Sequence, residues 1–117
     1  MDLNFELAID HLLSGSLDEL LLLLISNESK IIHSTSAFGH RASLIHYLGS
    51  NGVEMWRQVV PLNCIELLTF LVNSGSDPNA LMNVYNGQYE LKSLISSSAH
   101  PRRIGLDKKM IAILDRS

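Results

Sequence analysis

Apolar residues recur at helical spacing in several short stretches of this chain, and Gly, Asn, Asp or Ser residues separate the stretches. The apolar side of the first stretch consists of Phe5, Ala8, Ile9, Leu12 and Leu13. The same periodicity predicts helices over residues 4–13, 16–26, 43–50, 63–73, 90–98 and 106–115. A chain with this pattern is expected to fold by packing aliphatic helix faces.

The second predicted helix has a clear start signal and is apolar on almost every side. Ser16 and Glu19 have the spacing of a capping box, in which the side chain of each residue bonds the backbone N–H of the other. The leucine-rich run 20–25 leaves this helix without a polar face, so neighbours are expected on both sides. Asn63 and Glu66 repeat the cap-plus-three spacing before the fourth helix.

Turn residues predict how the helices are joined. Gly75 stands where a left-handed residue ends a helix, and Asp77 to Asn79 predict a turn. The Asn86-Gly87 pair predicts a hairpin-like finger. The stretch 29–42 has no helical period and is expected to form a loop.

The central part of the chain carries a recognisable repeat motif. Units of about 33 residues, made of a turn and two antiparallel helices, form one known repeat architecture. Ser43, His46 and Gly52 stand at the spacing of its Thr-Pro-Leu-His-x-Ala-Ala-x-x-Gly signature, and "LLTFLVNSGSDPNA" stands where "LLxxGADxNA" belongs. The chain resembles the ankyrin-repeat family, most closely over residues 42–80.

The resemblance implies an all-α fold, namely an ankyrin-like solenoid of about three antiparallel helix pairs joined by turns and fingers. The single domain would span residues 1–117, with units of roughly 4–37, 38–80 and 81–117. The motif is not complete, because Leu44 replaces the usual Pro and Leu48 and Gly49 replace two alanines. "VEMWRQVVPLN" is inserted between the two helices of the central unit, as in a subgroup of bacterial ankyrin-like proteins.

Two side chains are candidates for catalysis. In ankyrin repeats the motif histidine, here His46, bonds within and between turns, and Ser43 is explained as the helix-start residue. A catalytic base would need a nucleophile or an orienting carboxylate nearby, which "SLIHYLG" does not supply. Cys64 lies at a helix start, which lowers a thiol pKa, but Glu66 opposes the thiolate. An enzyme using His46 or Cys64 is the minor alternative.

The remaining chemistry of the sequence excludes several classes of site. The histidines show no His-x-x-x-His or His-Glu-x-x-His spacing, and no glycine-rich phosphate loop is present. No metal and no cofactor are therefore expected. The basic stretch "PRRIGLDKK" lacks interleaved aromatic residues, so nucleic-acid binding is not expected either.

The charge distribution bears on partners, and the length of the apolar run and the single Cys bear on the location of the protein. The net charge is −3, and the first 29 residues carry acidic side chains but no Lys or Arg. That asymmetry could steer a partner or stack copies head to tail, or it could be two solvated helix faces. The run 20–25 is far shorter than the about 20 apolar residues that span a bilayer. The single Cys fits a reducing compartment, so a cytoplasmic, non-membrane protein is expected.

Aromatic residues in the insertion and the finger are the candidate partner contacts. Trp56 and Arg57 belong to residue types that are enriched in interface cores, and Tyr85 and Tyr89 lie on the finger. The alternative is internal packing, with Trp56 filling a groove of its own stack and the tyrosines covering a neighbouring finger.

The resemblance implies a non-catalytic module that binds an unidentified protein through the concave face of fingers and inner helices. A structural role in a homo-oligomer or a longer solenoid is the alternative. It would use the last helix, where an apolar end face is expected to be partly exposed and to allow self-association. That face would consist of Met110, Ile111, Ile113 and Leu114.

Overall fold

Short helices and one hairpin make up the described part of the chain. The computed structural model describes residues 3–26, 30–36, 38–49, 53–97 and 105–116. The α-helices are α1 (Leu3–Leu13), α2 (Leu17–Ser26), α3 (Cys64–Asn73), α4 (Leu91–Ser97) and α5 (Asp107–Asp115). The 3-10 helices cover Lys30–His33, Leu44–Gly49 and Met55–Arg57, and the strands are β1 (Leu81–Val84) and β2 (Gly87–Glu90). The protein is a mostly helical domain with a small sheet.

The hairpin makes the all-α prediction wrong in the strict sense. β1 and β2 pair antiparallel with Val84 opposite Gly87, so the connecting turn has only two residues, Tyr85 and Asn86. Both have positive φ, 53° and 61°, as a type I′ turn requires. The Asn86-Gly87 signal was therefore correct in predicting a hairpin, and the finger is a true two-stranded ribbon.

Glycines end two of the helices in the same way. Gly15 has φ 78°, its N–H bonds the Leu12 carbonyl, and the next N–H bonds the His11 carbonyl. Gly75 has φ 110° and makes the equivalent bonds at the end of α3, as predicted. These Schellman-type ends reverse the chain tightly after each helix.

Neither predicted capping box forms, because other partners engage the same groups, a local one for Ser16 and Glu19 and a distant one for Asn63. The N–H of Ser16 already bonds the His11 carbonyl, and Glu19 instead pairs with Nδ1 of His11 at 3.1 Å. The side-chain amide of Asn63 donates to the Gly15 carbonyl at 3.0 Å rather than capping α3. This bond joins the start of α3 to the turn between α1 and α2.

The elements pack in chain order. α1 contacts α2 and the Leu44–Gly49 helix, which in turn contacts α3 and α4, while α5 contacts both α3 and α4. The core between them is aliphatic. Its largest fully buried side chains include Phe5, Ile9, Leu12, Leu20, Leu44, Ile45, Tyr47, Leu48, Leu67, Leu68 and Leu71.

The larger exposed apolar surface lies on α2 and not on α5. In α5, Met110 and Leu114 are buried, and Ile111 and Ile113 are partly exposed while they pack against the core, so the predicted partly exposed end face is limited to these two side chains. α2 instead leaves Leu22 and its neighbours exposed, so this helix is covered on one side only. No described helix is long and apolar enough to cross a membrane.

Candidate binding surface above a buried histidine–glutamate hub

The insertion of the central unit has one buried side and one exposed side. A 3-10 helix has three residues per turn, so side chains three apart lie on the same side. Glu54 and Arg57 accordingly point inward and are 8% and 9% exposed. Met55 and Trp56, between them, are 85% and 72% exposed.

Glu54 is the centre of a buried polar cluster. Its Oε1 accepts from Nε2 of His40 at 2.5 Å and from the hydroxyl of Tyr47 at 2.8 Å. Its Oε2 accepts from Nη1 of Arg57 at 3.3 Å. A buried carboxylate is stable only when it is paired and hydrogen-bonded in this way. We call the four side chains of Glu54, His40, Tyr47 and Arg57 the hub.

Arg57 ties the insertion to the first helix. Its Nη2 lies 2.5 Å from Oε2 of Glu6 and 3.4 Å from Oδ1 of Asp10, one turn further along α1. Burial alone would lower the pKa of Arg57. The hydrogen bond to Glu6 and the negative charges of Glu6, Asp10 and Glu54 have the larger effect, so the pKa of Arg57 is raised. The sequence predicted Arg57 as a contact for a partner. In the structure its guanidinium is buried and pairs with carboxylates of the same chain.

The hydrogen bonds of His40 give its two ring nitrogens different roles. Its Nδ1 accepts the backbone N–H of Ala42 at 3.1 Å, so the ring proton lies on Nε2 and is donated to Glu54. The Ser36 hydroxyl lies 3.1 Å from the same Nδ1. Ser36, His40 and Glu54 thus have the connectivity of a nucleophile, a base and an orienting carboxylate. Ser36 is only 2% exposed, however, so a substrate cannot reach its hydroxyl in this conformation.

The motif histidine lies in a second polar cluster. Nδ1 of His46 accepts the N–H of Ser43 at 3.0 Å and lies 2.9 Å from its hydroxyl, while Nε2 donates to the Ala80 carbonyl at 2.8 Å. The Asp77 side chain accepts the N–H of Asn79 at 2.9 Å and closes the turn before Ala80. These bonds join the start of the Leu44–Gly49 helix to the start of the finger. Gly52 lies outside the described residues.

Burial of His46 predicts a pH-dependent stability. Burial lowers the pKa of His46, although the bond to Ala80 opposes this. The unfolded chain, with a histidine pKa of about 6.5, then binds the proton more tightly than the folded chain, so stability falls as pH drops below about 6.5. Urea unfolding should give a free energy that falls by up to about 1 kcal/mol from pH 6.5 to 5.5.

The His46→Asn variant should be less stable at pH 7.5 and should show a smaller fall on acidification. The matched control is His33→Asn at an exposed position, which should keep the wild-type pH dependence. An unchanged pH dependence in His46→Asn would contradict the assignment.

Exposed aromatic rings lie directly above the hub. The rings of Phe38 and Trp56 meet edge to face at 6.4 Å between centroids, and Phe38 lies 5.7 Å from the His40 ring. Trp56 therefore does not fill a groove of its own stack. Val60 packs against the core instead, and Val59 is 48% exposed.

The finger is attached to the same turn. The backbone N–H of Asn83 donates to the His40 carbonyl at 2.7 Å, and its side-chain amide donates to the Gly39 carbonyl at 3.3 Å. Tyr85 is 64% exposed at the tip, while the Tyr89 ring lies over Gly87 and is 37% exposed. The exposed rings of the three segments that meet at this turn, with Met55, form what we call the aromatic edge. It consists of Phe38, Met55, Trp56, Tyr85 and Tyr89.

The other predicted chemical group, Cys64, is enclosed. It is fully buried, and burial together with the charge of Glu66 raises the pKa of its thiol. Its Sγ lies 3.8 Å from Sδ of Met110. Among the described residues, no group of three or more His, Cys, Asp and Glu side chains is arranged to hold a metal ion.

Comparison of the chain with protein-family models, with curated proteins and with solved structures gives no match. The hub and the aromatic edge must therefore be interpreted from their own chemistry. Sequence patterns identified the exposed rings of Trp56 and Tyr85 but not the hub. The sequence feature that could have suggested a basic partner for α1 is the pair Glu6 and Asp10, one turn apart in a helix without Lys or Arg.

Proposed function

We propose that this protein is a non-catalytic protein-binding module that binds its partner on the aromatic edge. One observation carries the proposal: Trp56 is 72% exposed although the residues on either side of its segment, Glu54 and Arg57, are buried. Large exposed aromatic residues on a fixed backbone are characteristic of binding hot spots. A contact surface of this kind needs a partner with an apolar, aromatic-accepting pocket.

The hub gives the edge a fixed shape before binding. Arg57 fixes the insertion to α1, and the Asn83 bonds fix the finger to the turn that carries Phe38. Association costs free energy when flexible side chains and loops must be ordered, and a preformed surface reduces that cost. The buried ion pairs thus support binding without contacting the partner.

An ankyrin-like stack accounts for this arrangement. Helix pairs packing in chain order, the His46 bonds at the motif position and a hairpin finger all support it. In such stacks the fingers and inner helices form the surface that receives partners, which is where Tyr85 and Tyr89 lie. The short 3-10 helix Leu44–Gly49, in the place of an α-helix, is a departure from the family pattern. A cytoplasmic location fits the single buried thiol.

Capture from a lysate of the native cells tests the proposal. The tagged chain should retain a near-stoichiometric protein, identified by mass spectrometry, and the Trp56→Ala/Tyr85→Ala variant should lose at least about 90% of it, a change of roughly 1.4 kcal/mol. The control is Leu62→Ala, which removes an 82% exposed apolar side chain from the same insertion outside the edge. Capture by this control should equal that of the wild type.

A second readout places the contact. Trp56 is the chain's single tryptophan, so 5-fluorotryptophan labels one position and its fluorine resonance reports only this ring. The resonance should shift when the captured protein is added. Equal capture by all variants, with an unmoved resonance, would contradict binding at the edge. Recovery of the chain alone would favour the structural, self-assembling role.

A further inference from the structure

The outer face of α2 is apolar and nothing within the described chain covers it. α2 buries Leu20 and Leu24 against its neighbours. Leu21, Leu22 and Ile25 are 41%, 65% and 66% exposed. With Asp18 they follow the i, i+3, i+4, i+7 spacing of one helix face, about 10 Å long. We call Leu21, Leu22 and Ile25 the α2 ridge.

The helix pair that carries the ridge has charged side chains of one sign, and Lys30, on the 3-10 helix that contacts α2, is the basic residue nearest to it in sequence. Residues 3–26 contain no Lys or Arg, and their acidic side chains are Glu6, Asp10, Asp18 and Glu19. Arg57 engages Glu6 and Asp10, whereas Asp18, on the face of the ridge itself, is exposed. An apolar ridge with an acidic margin matches a helix with an apolar stripe bordered by Lys or Arg.

The described residues of a second copy do not supply that surface. Two α2 ridges facing each other would bring together two acidic helix pairs, which disfavours their association. α5 has exposed Lys108, Lys109 and Arg116, but its large apolar side chains are turned toward its own core. The described part of α5 thus offers a basic surface on which only Ile111 and Ile113 are partly exposed apolar side chains.

We infer that the α2 ridge binds a basic amphipathic helix of another protein, at a site separate from the aromatic edge. The ridge leucines occupy the space between apolar residues of the incoming helix, and the carboxylate of Asp18 pairs with a Lys or Arg at its margin. The contact is a packing of two helices, in which the ridge of α2 enters a groove between side chains of the incoming helix and a few apolar anchors at i, i+3, i+4 and i+7 give the affinity.

Designed peptides test the inference directly. The probe is a fluorescein-labelled helical peptide of about 14 residues, with leucine at i, i+3, i+4 and i+7 and lysine elsewhere. A second peptide has glutamate for lysine, and a third has serine for leucine. Anisotropy should give saturable binding of the leucine–lysine peptide, with Kd rising roughly tenfold for either altered peptide.

Variants of the chain locate the contact. Leu22→Gln/Ile25→Gln should weaken the leucine–lysine peptide roughly tenfold, and Asp18→Asn about threefold with a smaller salt dependence. Trp56→Ala/Tyr85→Ala is the control and should bind like the wild type, so failure here is distinguishable from failure at the aromatic edge. Circular dichroism should show the same helix content in every variant.

Three outcomes would overturn the inference. They are equal binding of the glutamate peptide, undiminished binding by Leu22→Gln/Ile25→Gln, and a dimer in sedimentation velocity that this same variant dissociates. The last outcome would assign the α2 ridge to a second copy.

Discussion

Replacing Glu54 by alanine is expected to lower the free energy of unfolding by about 3–5 kcal/mol, which is a large part of the stability of a small domain. The substitution removes the acceptor of His40, Tyr47 and Arg57 at once, and these side chains are buried or nearly so. Arg57 keeps its two carboxylate partners on α1, but the His40 ring N–H and the Tyr47 hydroxyl lose this acceptor where water solvates them poorly, and each unmet buried donor costs about 1–3 kcal/mol. Urea unfolding at pH 7.5, followed by circular dichroism, measures the loss.

A surface ion pair provides the control for this experiment. Asp115 accepts from Nζ of Lys92 at 2.7 Å, with both side chains about half exposed. Asp115→Ala should therefore cost no more than about 1 kcal/mol. The loss of unfolding free energy in Glu54→Gln should lie between those of Glu54→Ala and Asp115→Ala, because the amide oxygen still accepts hydrogen bonds but the negative charge is absent. A loss below 1 kcal/mol for Glu54→Ala would contradict the hub.

Replacing Gly49 by valine is expected to disrupt the contact between the Leu44–Gly49 helix and α4. A Cβ at position 49 would lie 2.9 Å from Cδ1 of Leu91 and 3.6 Å from Cβ of Leu94, both on α4. Gly49, Leu91 and Leu94 are buried, so the added volume cannot turn to solvent. Forcing extra atoms into a packed contact costs about 1–3 kcal/mol, which should lower both the midpoint of urea unfolding and the cooperativity.

Gly39 is the matched control. No atom lies within 4 Å of the position of its Cβ, and its φ is not in the left-handed region. Gly39→Ala should therefore change the free energy of unfolding by less than about 0.5 kcal/mol. If Gly49→Val were as stable as Gly39→Ala, the close approach of the Leu44–Gly49 helix to α4 would not exist in solution.

Local signals predicted the elements well. Periodic apolar residues predicted each described α-helix to within a few residues, Gly75 ended α3 as expected, and the Asn86-Gly87 pair marked the hairpin. Each of these depends on residues close in sequence, where the spacing of side chains and the permitted backbone angles leave few choices.

Long-range partners decided what the local signals left open. Ser16 and Asn63 have the pattern of helix caps, yet the N–H of Ser16 bonds the His11 carbonyl and the side-chain amide of Asn63 donates to the Gly15 carbonyl, 48 positions away. The Leu44–Gly49 segment, predicted as a helix over residues 43–50, forms a 3-10 helix, and the His46 N–H bonds the Ser43 carbonyl three residues before it. Arg57 lies 47 positions from Asp10, and no spacing in the sequence indicates that pairing.

The backbone at the finger tip gives Tyr85 a further meaning. Left-handed φ is easy for Gly and Asn but costs an ordinary residue about 1–2 kcal/mol, and Tyr85 has φ 53°. A sequence optimised for stability alone would have Asn at this position. The phenol ring of Tyr85 is thus held on a backbone that Asn would adopt at lower cost. Tyr85→Asn would relieve that backbone and at the same time remove a 64% exposed ring, so a stabilising redesign of the finger and the proposed contact surface make opposite demands on position 85.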